Sequence, residues 1–390
     1  MITIKNADDA LKSAYLGVVS EQLNTSINPL LAKIKQTTQD VWGKEIRRLA
    51  QYGLNGGIGA GEEDGTLPDA ASNNYEQFIL TLKNLYGTIE ISDKAIRASE
   101  NSSGAFVNLL NAEMEGLVKA SSYNFGRMLF GDGSGILAKV VSITDGVIKV
   151  DNVKNLVEGM VIDFRSGAGS VIAGASVRRI TSIDRQNKTI VVSGTALTST
   201  SVPENSLITI QGSYNQEITG LGAIFKTTGT LYGLSRDTHK WLVPYMKTNV
   251  GEITESAIQT AIDYLEENSG SKVDFIVCSS GVKRAFINHL STYKRNVDVL
   301  DLNGGYKALS YNGIPIVSDR FCPEGTMYLL NTSDFTLHQL CDWKWLEGED
   351  GRVIKQVADK PIYKATLVKY ADLICTRPCG QAMLSGITEA

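Results

Sequence analysis

The sequence predicts an α+β protein built from several units, and three stretches carry that expectation. Residues 75–82 and 85–91 are rich in β-branched and aromatic side chains and flank a short Lys83-Asn84 connection, which predicts a β-hairpin. Residues 104–130 follow, with apolar side chains at 106, 110, 114, 117, 125, 128 and 129, one stripe of an amphipathic helix. At 1.5 Å per residue that helix is a rod of roughly 40 Å. Between Ile136 and Gly212 helical periodicity vanishes, and short β-rich runs separated by turn signals predict a small all-β barrel.

Taken in order, residues 8–23 predict an amphipathic helix (Leu11, Tyr15, Val18, Val19, Leu23) that stops before Asn28-Pro29. Residues 41–52 read as extended and carry Lys44, Arg47 and Arg48. Residues 53–74 hold six glycines, the adjacent acids Glu62, Glu63 and Asp64, and Pro68. Such a segment cannot bury a core of its own, so it is expected to be disordered, or ordered only by a neighbouring chain. Ser102 and Ser103 stand where the long helix needs an N-cap, and Gly131-Asp132-Gly133 stops it.

The all-β region contains runs at 137–143, 147–151, 160–164, 176–183, 188–193 and 207–211. Beyond Leu231 the pattern turns α/β. Thr254 is placed to cap a helix with Ile253 and Ile258 as its staple, and Gly270 ends it. Residues 273–278 predict a buried strand, and Ser279-Ser280 cap a helix running through Leu290. Further strands are expected at 314–318, 326–330, 335–340 and 362–375.

At 390 residues, two or three domains are expected. The net charge of −4 argues against a dedicated nucleic-acid binder. No apolar run reaches membrane-span length, and the first twenty residues carry acids where a signal peptide needs bases, so synthesis without a membrane stage is expected. The five cysteines read as reduced core thiols, and the Cys375/Cys379 spacing does not match a zinc site.

No catalytic, cofactor-binding or metal residues are expected. The stretch from Gly57 to Gly61 lacks the strand–turn–helix setting of a dinucleotide fingerprint, and no P-loop occurs. The Gly131-Asp-Gly-Ser-Gly135 run fits a helix stop better than an anion nest. Cys278-Ser279-Ser280 could hold a nucleophile at a strand–helix turn, but His239, His289 and His338 each stand alone, and an N-cap explains the serines. Paired acids such as Glu266-Glu267 read as solvated faces.

Several motifs, in their order and spacing, resemble the major capsid proteins of tailed bacteriophages, whose fold is shared with encapsulins and herpesvirus capsid floor domains. They are Gly61-Glu-Glu-Asp-Gly-Thr-Leu-Pro68, the stretch 78–91, Ser92-Asp-Lys-Ala-Ile-Arg-Ala-Ser99, and Leu129-Phe-Gly-Asp-Gly-Ser-Gly135. Ile218-Thr-Gly-Leu-Gly-Ala-Ile224, Tyr311-Asn-Gly-Ile-Pro-Ile-Val-Ser-Asp319 and Gly325-Thr-Met-Tyr-Leu-Leu-Asn331 complete the set. The resemblance implies an N-terminal arm over 1–52, an extended loop over 53–92 and a peripheral domain with a spine helix over 93–135. It further implies an inserted β-barrel over 136–217, an axial domain over 218–345 and a C-terminal return to the peripheral domain over 346–390.

Functionally, the resemblance implies a non-enzymatic shell protein that assembles into hexamers and pentamers, forming an icosahedral or prolate head around DNA. The expected site is the virion, with assembly in the host cytoplasm. Expected partners are further copies of the chain, a separate scaffolding protein, a portal and decoration proteins. Lys44, Arg47, Arg48, Glu62, Glu63, Lys83 and Asn84 are the candidate subunit contacts. Some relatives weld subunits through a lysine–asparagine bond; Lys83 is the candidate lysine, but no asparagine follows Asn331 to receive it, and a solvated turn lysine is the simpler reading. The rival readings are an encapsulin-type compartment, a hydrolase built on the 273–290 strand–helix turn, and a glycan-binding barrel.

Overall fold

The two β-rich runs expected to pair with each other lie in different sheets. The computed structural model describes residues 28–39, 41, 45–94, 103–293, 299–302, 306–348 and 351–390. The helix expected at 8–23, Ser102 and Lys44 lie outside them. The chain forms β1 (Lys35–Thr37), β2 (Glu45–Tyr52), β3 (Asn74–Thr81) and β4 (Lys83–Ser92). β3 pairs along its whole length with β2, from Glu45↔Thr81 to Tyr52↔Asn74. β4 instead pairs with a strand near the C-terminus, which corrects the expected hairpin. The physical reason is the connection: only Leu82 separates β3 from β4, one residue short of the tightest reversing loop. Leu82 packs against the main core, so the chain runs on from one sheet into the next. Lys83 is therefore the first residue of a sheet strand, opposite Ala371, and is not at a hairpin tip.

The long helix α1 (Ser103–Phe130) has 28 residues. Its buried Met114, Val118, Phe125, Met128 and Leu129 join Leu85, Ile89 and Leu367 in one core, as 3.6-residue periodicity requires. Next come β5 (Ile136–Thr144), β6 (Val147–Val150), β7 (Val161–Arg165), β8 (Arg178–Asp184), β9 (Thr189–Val192) and β10 (Leu207–Ile210). They close an antiparallel barrel in the order β10-β5-β6-β9-β8-β7, with β7 returning to β10. Alternating inward residues, among them Val140, Ile148, Val150, Ile162, Phe164, Ile180, Ile190 and Ile208, give it a separate core.

The rest of the chain supplies β11 (Thr230–Leu231), β12 (Leu234–Ser235), β13 (Tyr245–Lys247), α2 (Glu255–Ser269), β14 (Phe275–Cys278) and α3 (Ser280–Tyr293). After these come β15 (Val299–Leu302), β16 (Tyr306–Tyr311), β17 (Ile314–Ser318), β18 (Met327–Leu330), β19 (Phe335–Trp345), β20 (Lys355–Gln356), β21 (Ile362–Cys375) and β22 (Ala382–Leu384). Thr254 caps α2 by accepting from the Ala257 N–H at 3.2 Å, and Gly270 ends it in the left-handed conformation at φ 59°.

Two sheets organise this half. A seven-stranded sheet runs β13-β22-β18-β14-β17-β16-β15. β14 reads Phe-Ile-Val-Cys because both of its faces are covered: Ile276 and Cys278 face the core of α2 and α3, while Phe275 and Val277 join the core of α1. A five-stranded sheet runs β1-β19-β21-β20, with β4 also on β21. That sheet gathers strands from the two ends of the described chain, and α1 packs across it.

Candidate assembly surfaces

The β2–β3 ribbon is anchored at its root and bare at its tip. Its inner face places Ile46, Ala50, Phe78 and Leu80 in the main core. Tyr52 stacks on Trp241 with ring centroids 5.3 Å apart, Phe78 lies 5.1 Å from Tyr232, and the Ile79 N–H donates to the Tyr232 carbonyl at 3.0 Å. On the outer face Leu49, Tyr75 and Ile79 are exposed. The connecting residues 53–73 leave Leu54, Ile58 and Leu67 at 81%, 77% and 89% exposure. This loop contains Glu62, Glu63, Asp64 and Asp69 and no lysine or arginine. Isolated exposed leucines are ordinary; here three large apolar side chains share one glycine-rich loop.

The seven candidate contact residues do not form one cluster. Lys44 lies outside the described residues. Arg47 is exposed on the outer face of the ribbon, 3.4 Å from Glu45, and Arg48 stands opposite Phe78. Glu62 and Glu63 lie at the loop tip, where Glu62 accepts the Gly65 N–H at 3.1 Å. Lys83 and Asn84 open β4, away from that tip, and Lys83 is half-buried.

What the sequence reading missed is a set of buried charges that join the units. Arg127, near the end of α1, pairs with Glu217 just after the barrel; both are buried, and Arg127 also holds Asn124 Oδ1 at 2.7 Å. Asp372 on β21 accepts the Thr219 N–H at 2.6 Å and its hydroxyl at 3.2 Å, and burial pushes its carboxyl up to about 6. Arg236 donates to the carbonyls of Ala223 and Ile224 at 2.7 and 3.0 Å, closing the helical turn Leu221–Ile224. That turn explains the Thr-Gly-Leu-Gly motif. A Cβ on Gly220 would meet the Met128 carbonyl at 2.3 Å, so only glycine lets this chain lie against the end of α1. From the barrel, Lys154 reaches the Cys322 carbonyl at 2.5 Å.

At the strand–helix turn at 278–280, Cys278 and Ser279 make core and capping contacts. Cys278 is fully buried and its thiol is pushed up to about 12 by that burial. Ser279 hydrogen-bonds the Glu389 carboxylate and accepts the Val282 N–H at 3.4 Å, the geometry of a helix cap. Among the described residues, no three His, Cys, Asp or Glu side chains converge as metal ligands.

Residues 204–350 match the family model described as SU10 major capsid protein. The capsid asymmetric unit of cyanophage A-1(L) is similar over 93% of both chains, with a TM-score of 0.56 and 15% identity. The chain has a phage-capsid fold. An encapsulin complex from Synechococcus elongatus is similar at TM-score 0.48 and 10% identity over 95% of each chain. The capsid of Myoviridae phage XM1 gives 0.47 and 10%, over 93% of this chain and 92% of that one. No curated protein matches the chain. The resemblance to tailed-phage major capsid proteins thus holds in fold and, over residues 204–350, in sequence.

Proposed function

We propose that this chain is a major capsid protein whose copies assemble into hexamers and pentamers and close into the icosahedral or prolate head of a tailed phage around its DNA. It acts as a structural protein of the virion. The observation that carries this reading is the 53–73 loop: a capsid-fold chain that holds three large apolar side chains in water on a firmly rooted ribbon. Covering such loops around a ring sums to the contact areas of obligate assemblies, and head-to-tail contacts that close make rings.

In this reading residues 1–52 are an arm and 53–92 an extended loop, of which the exposed 53–73 connection is the part laid on neighbouring subunits. Arg47, Arg48, Glu62 and Glu63 contact those neighbours, with Lys44, Lys83 and Asn84 beside them. Residues 93–135 and 346–390 form the peripheral domain and 218–345 the axial domain; the 136–217 barrel is an insertion between them. A separate scaffolding protein, a portal and decoration proteins complete the particle, which is built in the host cytoplasm. The DNA is confined by the wall without sequence-specific contacts, in keeping with a net charge of −4.

Electron microscopy of the purified protein tests the proposal. Rings of five and six copies, or closed shells, are the expected result. A monodisperse monomer at high concentration overturns it, and shells that carry only a protein cargo in the native host replace it with the encapsulin reading.

A further inference from the structure

β19 and β21 run antiparallel, but their register slips twice between Gln339 and Lys344. The slip brings Gln339 and Asp342 against one side chain of β21, Lys369. The Lys369 Nζ lies 2.6 Å from Asp342 Oδ1, 2.7 Å from Gln339 Oε1 and 5.1 Å from the centre of the Phe125 ring on α1. Lys369 is 2% exposed and Gln339 6%, so the amine and the carboxamide meet away from bulk water, while the Asp342 side chain, 41% exposed, reaches solvent at the edge. Asp342 Oδ1 also accepts the Trp343 N–H at 2.7 Å, which fixes the carboxylate beside the amine.

This cluster contains the parts of an acyl transfer. A primary amine touches a carboxamide, and a carboxylate stands ready to move protons between them. An amine hydrogen-bonded to the carboxamide oxygen sits roughly 3.5 Å from its carbonyl carbon, the range of a near-attack contact. Burial also holds the Lys369 amine below its ordinary value, despite the opposing pull of Asp342, which eases the removal of its proton. The buried carboxamide places an electrophilic carbon beside the amine in addition to the carboxylate.

We propose that Lys369 Nζ and Gln339 Cδ join in an intrachain isopeptide bond, with Asp342 as the proton carrier. Asp342 takes one proton from the ammonium, and the freed lone pair attacks Cδ. Asp342 then delivers that proton to Nε2 and accepts a second from the attacking nitrogen. The Cδ–Nε2 bond breaks, ammonia leaves and is protonated, and a secondary amide remains. The net change is ammonium plus carboxamide to amide plus ammonium ion, with no oxidant or other reactant. The bond staples β19 to β21 where their register is irregular, and it does not depend on the capsid reading.

Mass spectrometry of the full, folded chain tests it. The expected intact mass is about 17 Da below the sequence mass, the loss of one ammonia. Peptide mapping should place that loss in a branched peptide joining Gln339 and Lys369. Asp342→Asn and Gln339→Ala should each return the full mass while keeping the circular dichroism of the parent. A full sequence mass in folded protein held at neutral pH overturns the proposal, even if a variant fails to fold. So does a loss of about 18 Da mapped to Lys369 and Asp342, or an ammonia loss mapped elsewhere.

Discussion

Arg127 and Glu217 form an ion pair in which both side chains are buried, and the whole barrel lies between them in sequence. The pair fastens the chain that leaves the barrel to the helix that led into it. Removing one partner strands a charge away from water. Arg127→Met should therefore cost about 3–5 kcal/mol in chemical denaturation. Arg127→Met combined with Glu217→Leu should recover most of that loss, because no charge is then left unpaired.

Two glycines in α1 should respond to alanine with opposite signs. A Cβ on Gly116 meets nothing within 4 Å, whereas one on Gly126 would lie 2.1 Å from Asn28 Oδ1 and 2.7 Å from the Phe321 ring. Gly116→Ala should raise the unfolding free energy by up to ~1 kcal/mol through helix propensity alone. Gly126→Ala should lower it, since overpacking at a closed contact costs roughly 1–3 kcal/mol. Parallel melting curves would compare the two.

The loop side chains Leu54, Ile58 and Leu67 separate stability from assembly. All three are exposed in the single chain, so replacing them together by serine should leave its unfolding free energy within about 0.5 kcal/mol. Sedimentation and electron microscopy should nonetheless lose rings and shells. Assembly that proceeds unchanged would remove this loop from the contact surface.

Asp319 predicts a pH dependence of known sign. Burial pushes its carboxyl up to about 6 despite the Phe321 N–H at 2.8 Å and the nearby charges of Lys154 and Arg320. An unfolded aspartate titrates near 3.9, so below about pH 4 both states are protonated and the group is silent. As pH rises through about 6 the folded chain must ionise a buried carboxyl, and stability falls by about 2–3 kcal/mol before levelling. Asp319→Asn should therefore gain on the parent between about pH 4 and 7 and hold a constant lead above that. Asp372, raised to about 6 by the same cause, keeps its own slope in both proteins.

The features legible in the sequence were those with a local cause. The apolar stripe of residues 104–130 coincides with α1, and the six runs from 137 to 211 coincide with β5 to β10. Thr254, Gly270 and Ser279 act as the caps their positions suggested. Pairing was not legible where partners lie far apart: β4 finds β21 nearly three hundred residues away, and no local pattern announces it. The three-residue strands β1, β13 and β22 are too short to carry periodicity. Arg127, Arg236, Lys369 and Asp372 escaped notice because a charged residue in a sequence gives no sign of its burial; the Thr-Gly-Leu-Gly motif was the one signal near them.

The barrel closes on itself: its first strand, β5, and its last, β10, are hydrogen-bonded neighbours, with Thr209 opposite Ile136. The chain thus leaves the body and comes back through a doorway about one strand spacing wide, roughly 5 Å. Any guest whose own ends sit equally close could be spliced in there with little demand on the surrounding helix and sheets. The position is a natural socket for display, at which an enzyme or antigen could be carried on every copy of the chain.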